Sequence, residues 1–255
     1  MPPLHLQFQI GPWQFLLGPW DAALVALVAV QATLIAYVYQ PRWKALLFSL
    51  PIPFTLSALA VGRPVGAANA LGLLLLLAFM HAVRALHYNL RVGIVPAIAL
   101  AALSYCAVGA AAMPHVPPGG AAYWVATACT VAAALIAWRL TPRKAEPGHR
   151  TALPVAVKLP LILAVLVGMV AIKGLLQGFL TTFPFVGIIT AYEARTSLWT
   201  ICRQTGVIML ALSLLMICCR LGQDAIGLGP SLAIGWAAFL GFLLPLSWPR
   251  GSQPQ

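Results

Sequence analysis

Only four acids stand among the 255 residues: Asp21, Glu146, Glu193 and Asp224. Glu193 has the richest surroundings, in the run Tyr192-Glu193-Ala194-Arg195-Thr196-Ser197-Leu198-Trp199-Thr200-Ile201-Cys202-Arg203-Gln204. In a continuous helix Glu193, Thr196, Thr200 and Arg203 recur at i, i+3, i+7 and i+10 and share one face. Glu193 and Arg203 would then be about 15 Å apart along the axis, at ~1.5 Å per residue, which is too far for a direct pair. Arg195, or a basic residue of another helix, is the expected partner. An ionised side chain left in hydrocarbon costs roughly 2.5–3.5 kcal/mol or more, so a partner is needed. Two roles fit Glu193: an ion pair that fixes an interfacial loop, or a carboxylate that binds a substrate or a proton.

His81, Arg84, Tyr88 and Arg91 repeat the i, i+3, i+7, i+10 spacing, with His87 turned away. Histidine exchanges a proton near neutral pH. His81 could therefore relay protons or help bind an anion beside Arg84. Alternatively, Arg84 snorkels to the headgroups and His81 hydrogen-bonds a neighbouring helix. Lys173 is expected at a turn on the outer surface. Gln177, Thr181 and Pro184 follow it at helical spacing. Pro184 lacks a backbone donor and can open the carbonyl of Leu180; Pro51 and Pro53 could do the same earlier in the chain. Each is a kink, or a helix break that offers backbone to a substrate.

The sequence holds no His-Glu-x-x-His, no Gly-x-Ser-x-Gly, no phosphate loop and no acidic metal cluster. Catalysis, metal binding and a cofactor are not expected. Cys106, Cys129, Cys202, Cys218 and Cys219 lack the paired spacing of a zinc or redox site and read as packing thiols.

The elements that must position these residues are set by composition. Hydrophobic residues make up 62% of the chain and charged residues 7%. A soluble domain carries about 25% charged residues, so lipid is the expected solvent. A span needs roughly 20 apolar residues. Nine such runs are read, at about 22–40, 44–61, 68–87, 93–112, 121–139, 154–172, 174–192, 205–220 and 228–247. They are continuous and do not alternate, which predicts an all-α polytopic bundle and not a barrel. The boundary at Ile172-Lys173-Gly174 is the weakest. Residues 1–21 have no Lys or Arg and carry Gly11-Pro12-Trp13 and Gly18-Pro19-Trp20. They lack the positive start of a signal peptide and read as an interfacial segment. Residues 248–255 read as a short polar tail.

With nine spans and the N-terminus outside, Arg42, Lys44, Arg84, Arg91, Arg139, Arg143, Lys144, Arg150, Lys158, Arg195, Arg203 and Arg250 fall inside. Arg63, Lys173 and Arg220 fall outside. Positive loops mark the cytoplasmic side. The net charge of +11 is read this way and not as a nucleic-acid surface. A bacterial inner membrane is the expected location.

The two ends of the chain share ordered landmarks. Lys44-Ala45-Leu46-Leu47 corresponds to Lys173-Gly174-Leu175-Leu176, and Pro53-Phe54 to Pro184-Phe185. Gly62-Arg63 falls near Ala194-Arg195. Met80 and Arg84 match Met216 and Arg220, and Pro96-Ala97-Ile98-Ala99 matches Pro230-Ser231-Leu232-Ala233. These define two four-span units, 22–112 and 154–247, joined by 113–153, which holds a linking span and a cytoplasmic loop. An odd number of spans between the copies inverts the second.

Within the second unit, Lys173 to Leu176 and Phe183-Pro184-Phe185 leading to Ala191-Tyr192-Glu193 resemble the small four-span bacterial GlpM-like membrane proteins. Those proteins have a Lys/Leu-rich first span and a Phe-Pro-Thr-Phe stretch before a second helix. Leu180-Thr181-Thr182-Phe183-Pro184-Phe185 rearranges that order. The resemblance covers about 100 residues and implies a four-span unit without an assigned activity.

Inverted repeats permit alternating access. The expectation is a transporter of a small solute or ion, with Glu193, Arg195, Arg203, His81 and Arg84 binding substrate near spans 2, 3, 7 and 8. Pro53 and Pro184 are the expected helix breaks. The competing expectation is a scaffold or accessory subunit of a membrane complex. Expected partners are membrane lipid, a small solute or ion, and further copies of the chain.

Overall fold

The computed structural model describes residues 6–10, 13–142, 144, 146–149 and 155–247. Arg143, Arg150, Arg250 and the tail 248–255 lie outside these, as does the side chain of Lys158. Helices fill the apolar runs, as expected for a chain that must satisfy its backbone without water. The exception is N-terminal. Strands β1 (Leu6–Ile10) and β2 (Trp13–Leu17) pair antiparallel, with Phe8 opposite Phe15.

Helix α1 (Pro19–Tyr37) follows at once. Proline at its first position is preorganised for helix, and Gly18 N donates to Asp21 Oδ2 at 2.8 Å. Helices α2 (Pro41–Ser49) and α3 (Ile52–Val61) come next, then α4 (Ala67–Arg84), which runs on as a π-helical turn over Ala85–Asn89. Gly62 closes α3 at φ 64, where glycine carries no Cβ penalty. Helices α5 (Ile94–Ala112), α6 (Gly120–Leu140) and α7 (Val155–Ala171) precede a broken stretch. That stretch is α8 (Lys173–Leu176), a 3-10 segment (Gln177–Thr182) and α9 (Phe185–Glu193). The chain ends in α10 (Leu198–Ile226) and α11 (Leu228–Ser247).

Seven of these helices are long and apolar enough to cross a membrane, counting α2 with α3 as one, or up to eight if a bent pair is one span. That pair, Ile162–Ala171 and Lys173–Thr182, bends by 61° at the boundary that the sequence marked as weakest. The chain has the build of a multi-pass membrane protein. Leu100, Leu103, Val125, Ile136 and Leu221 are exposed on its outer faces, where lipid would solvate them.

Helices α4 and α10 form the middle. They pack on each other, and α6 packs on both. Helix α4 also packs on α5 and the 3-10 segment, and α10 on α11 and α2. Helix α1 packs on α3, α7 and α9. Leu73, Met80, Leu166, Leu180, Leu198 and Met209 are among the fully buried side chains between them.

Four expectations are corrected. The run at 174–192 is not one helix, because Pro184 cannot continue it and the turn before it is 3-10. The span drawn at 205–220 is a 29-residue helix that takes in Arg203, Gln204 and Gln223. The face shared by Glu193, Thr196, Thr200 and Arg203 does not form, since the helix stops at Glu193 and restarts at Leu198. Arg91 also leaves the His81–Arg84 face. The π-helical turn shifts the register, and Arg91 takes φ 54 in the following loop.

Candidate functional site

Two polar regions result: a charged cluster at one end of the bundle and a pair of helix breaks inside it.

At the charged end, α10 begins beside the loop after α6. Glu146 reaches across to it. Its Oε1 accepts from Trp199 N at 3.2 Å, and its Oε2 from Thr200 N at 2.6 Å and Thr200 Oγ1 at 2.7 Å. The first amides of a helix have no partner within it, and the macrodipole favours an anion there. Arg84 stands over the Trp199 ring at 4.1 Å and Lys144 at 4.4 Å. Tyr88 Oη donates to the Arg195 carbonyl at 3.0 Å and accepts from Leu198 N at 3.3 Å. His81 shares the Arg84 helix, and among the described residues its buried Nε2 finds no hydrogen-bond partner. Loss of such a cap typically costs about 0.5–2 kcal/mol. Glu146→Ala is therefore expected to destabilise the chain by ~1–2 kcal/mol in thermal unfolding in detergent. Glu146→Gln should lose less, because its amide oxygen still accepts.

Lys44 and Glu193 are both about 1% exposed. Lys44 Nζ donates to the carbonyls of His149 at 2.6 Å and Glu193 at 2.7 Å, and lies 3.9 Å from Glu193 Oε2. A partner of Glu193 thus comes from another helix, α2. Arg195 lies over the Tyr192 ring at 5.2 Å and donates to the Tyr192 carbonyl at 3.4 Å. Arg203 donates to the carbonyls of Trp138 at 3.1 Å and Thr141 at 2.6 Å. There it caps the negative end of α6, a positioning role that favours a cation.

The breaks lie deeper. Pro51 has no N–H to give the Leu47 carbonyl. Gln31 of α1 supplies a donor instead, from Nε2 to Leu47 O at 2.8 Å and Leu50 O at 3.4 Å. Gln204 of α10 donates to Ser49 Oγ at 2.7 Å, and Trp236 of α11 to Thr55 Oγ1 at 2.8 Å.

The second break, at Phe183-Pro184, is served in the same way from the other side. Asn69 Nδ2 donates to Thr181 Oγ1 at 2.9 Å, and Tyr105 Oη to the Phe179 carbonyl at 2.8 Å. The Leu180 carbonyl accepts from Phe183 N at 3.1 Å. Gln177, at φ 44, turns the chain into the 3-10 segment, and Arg63 Nη1 donates to its Oε1 at 2.6 Å. Removing a buried donor leaves its acceptor unsatisfied at about 1–3 kcal/mol. Tyr105→Phe should lower stability by that amount in unfolding measurements. Ser104→Ala, on the exposed side of α5, should change little.

The structure thus brings Arg84 together with Tyr88, Glu146, Lys144 and Trp199, and Glu193 with Lys44. It engages Arg195 and Arg203 on local carbonyls. Pro184 stands at the break before α9, whereas Pro53, expected as a break, lies inside α3, two residues past the interruption at Leu50-Pro51. Sequence reasoning missed Lys44, Glu146, Gln31, Asn69 and Tyr105 as positioning groups. Asn69 and Gln31 had one signal, as isolated amides within apolar runs. Comparison with protein-family models, with curated proteins and with solved structures finds no match.

Proposed function

We propose that this chain is a transporter of a small solute or ion. It crosses a bacterial inner membrane nine times, with the N-terminus outside and the C-terminus cytoplasmic. Its two four-span units are inverted copies, and the substrate passes between the two helix breaks.

The pairing of those breaks carries the reading. Helix α3 packs on the 3-10 segment and α2 on α9, so the two interrupted elements lie together in the interior. The first is interrupted at Leu50-Pro51, just before Pro53-Phe54, and the second at Phe183-Pro184, just before Phe185, so the breaks fall beside the aligned Pro-Phe pairs. Gly- or Pro-interrupted segments at corresponding positions of two halves mark the substrate site in transporters built from inverted repeats.

The remaining packing fits a two-fold relation. Helices α4 and α10 correspond and touch, α6 touches both, and α1 touches its counterpart α7. The contact of α5 with α9 is matched by that of α11 with α3. Contacts between ends support nine crossings. Asp21 meets Lys173, Arg63 meets Gln177 and Val65 meets Gln223 at one end. Lys44 meets Glu193, Glu146 meets Thr200 and Arg203 meets Thr141 at the other. On this reading the chain passes between these ends nine times, with the basic loops at the Lys44 end. The positive-inside bias makes that end cytoplasmic.

The test is flux into proteoliposomes for sodium, potassium, chloride, phosphate and urea. At least one is expected to enter faster than into protein-free vesicles. Arg84→Ala and Glu193→Gln should each slow that flux by at least about tenfold, the factor that ~1.4 kcal/mol gives. Full flux in both variants would remove these residues from the path. No flux for the whole panel, together with unchanged solute uptake in deletion and overexpression strains, would favour the scaffold reading instead.

A further inference from the structure

We infer that Lys44 and Lys173 are the two gate latches of this transporter, one at each end, each holding the first and second units together. The inference rests on the transport reading and names how its path is closed.

The two lysines occupy corresponding positions, at the head of Lys44-Ala45-Leu46-Leu47 and of Lys173-Gly174-Leu175-Leu176. Each lies at the start of one of the two broken elements. Each ion pair crosses between units. Lys173, of the second unit, stands 2.6 Å from Oδ2 of Asp21 on α1. Lys44, of the first unit, lies 3.9 Å from Oε2 of Glu193 on α9. Two of the four acids in the chain are therefore engaged at these two positions. Both acids are buried, Asp21 beside a Lys173 that is 29% exposed and Glu193 beside a buried Lys44.

Further links between units reinforce each latch. At the Lys173 end Arg63 holds Gln177, and Gln223 accepts from Val65 N at 2.8 Å. At the Lys44 end Tyr88 holds Arg195 and Arg84 covers Trp199. If one unit rocks on the other, opening either end separates the pair at that end and leaves the other made. Both pairs are made here, which describes an arrangement closed at both ends. A two-state equilibrium moves only by the difference in free energy that a contact makes between the states. Weakening one latch therefore favours opening at its own end.

The experiment reads the side from which the breaks can be reached. Single cysteines replace Ser49 or Thr182 in a full-length chain whose five native cysteines are alanine. A membrane-impermeant maleimide is applied to cells and to inverted vesicles. Lys173→Gln should raise labelling from outside by about tenfold or more. Glu193→Gln, which keeps the bonds of Lys44 to the two carbonyls, should raise it from the cytoplasmic side. Asp21→Lys combined with Lys173→Asp should return labelling to the starting level. A break cysteine labelled equally with and without these changes would overturn the latches and leave the path standing. Labelling raised equally from both sides would also overturn them, as a loosened fold. A break cysteine never labelled from either side, while a cysteine replacing the exposed His115 is labelled, would refute both the path and the latches.

Discussion

Lys44→Met is expected to destabilise the folded chain by about 3–5 kcal/mol, the usual result of removing one partner from a buried ion pair. The cause is the group left behind. Glu193 is about 1% exposed, and the cation that lies 3.9 Å from its Oε2 would be gone. The carbonyls of His149 and Glu193 would lose a donor as well. Adding Glu193→Gln should recover part of the loss, because a neutral amide does not need the lost cation, while the two carbonyls still lack the lysine donor. Equilibrium unfolding in mixed micelles measures both variants. A cost near the ~0–1 kcal/mol of a surface pair would show that water reaches Lys44. Lys173, at 29% exposure, should lose less on the same change.

Gly72→Ala is the second large effect. A Cβ there would overlap Thr182 Oγ1 and stand 3.3 Å from both Thr182 Cβ and Tyr105 Oη. Thr182 is buried, with only 4% of its surface exposed, and shares a hydrogen bond of 3.0 Å with Tyr105. Turning its hydroxyl aside would break that bond and the one to the Phe179 carbonyl. Overpacking of a tight core costs typically 1–3 kcal/mol and occasionally more, so about 3 kcal/mol is expected. Thr182→Ala removes the overlapping oxygen, so the double variant should be more stable than the sum of the single costs predicts. A coupling of ~1 kcal/mol or more is expected from such a cycle. Gly168→Ala, in α7 with open space around its Cβ, is the control and should not destabilise. Additive costs at Gly72 and Thr182 would contradict the packing described here.

The long apolar helices were legible because lipid leaves few ways to satisfy a backbone. Boundaries failed where polar side chains lie inside a helix. Arg203 and Gln204 made the start of α10 look like a loop, yet Arg203 reaches the end of α6 and Gln204 reaches Ser49. The sequence offers no sign that partners would come from those elements. The break at Pro184 was legible from the missing donor, but its completeness was not. That depends on Asn69 and Tyr105, more than seventy residues away, accepting the role of the lost helical bonds. Helical spacing found Arg84 because His81, Arg84 and Tyr88 share one element. It could not find Lys44 for Glu193, whose pairing spans 149 residues. Periodicity describes a face, and says nothing of what another helix brings to it.

The two ion pairs that join distant parts of the chain set a problem for biogenesis. Asp21 precedes Lys173 by 152 residues and Lys44 precedes Glu193 by 149. At about 5–20 residues per second, the ribosome exposes each earlier charge for roughly 7–30 s before its mate is made. The first half must therefore wait, loosely assembled or sheltered by the insertion machinery, until the second half arrives. A nascent chain that stops before Glu193 holds a lysine with no acid to meet, a natural mark for membrane quality control.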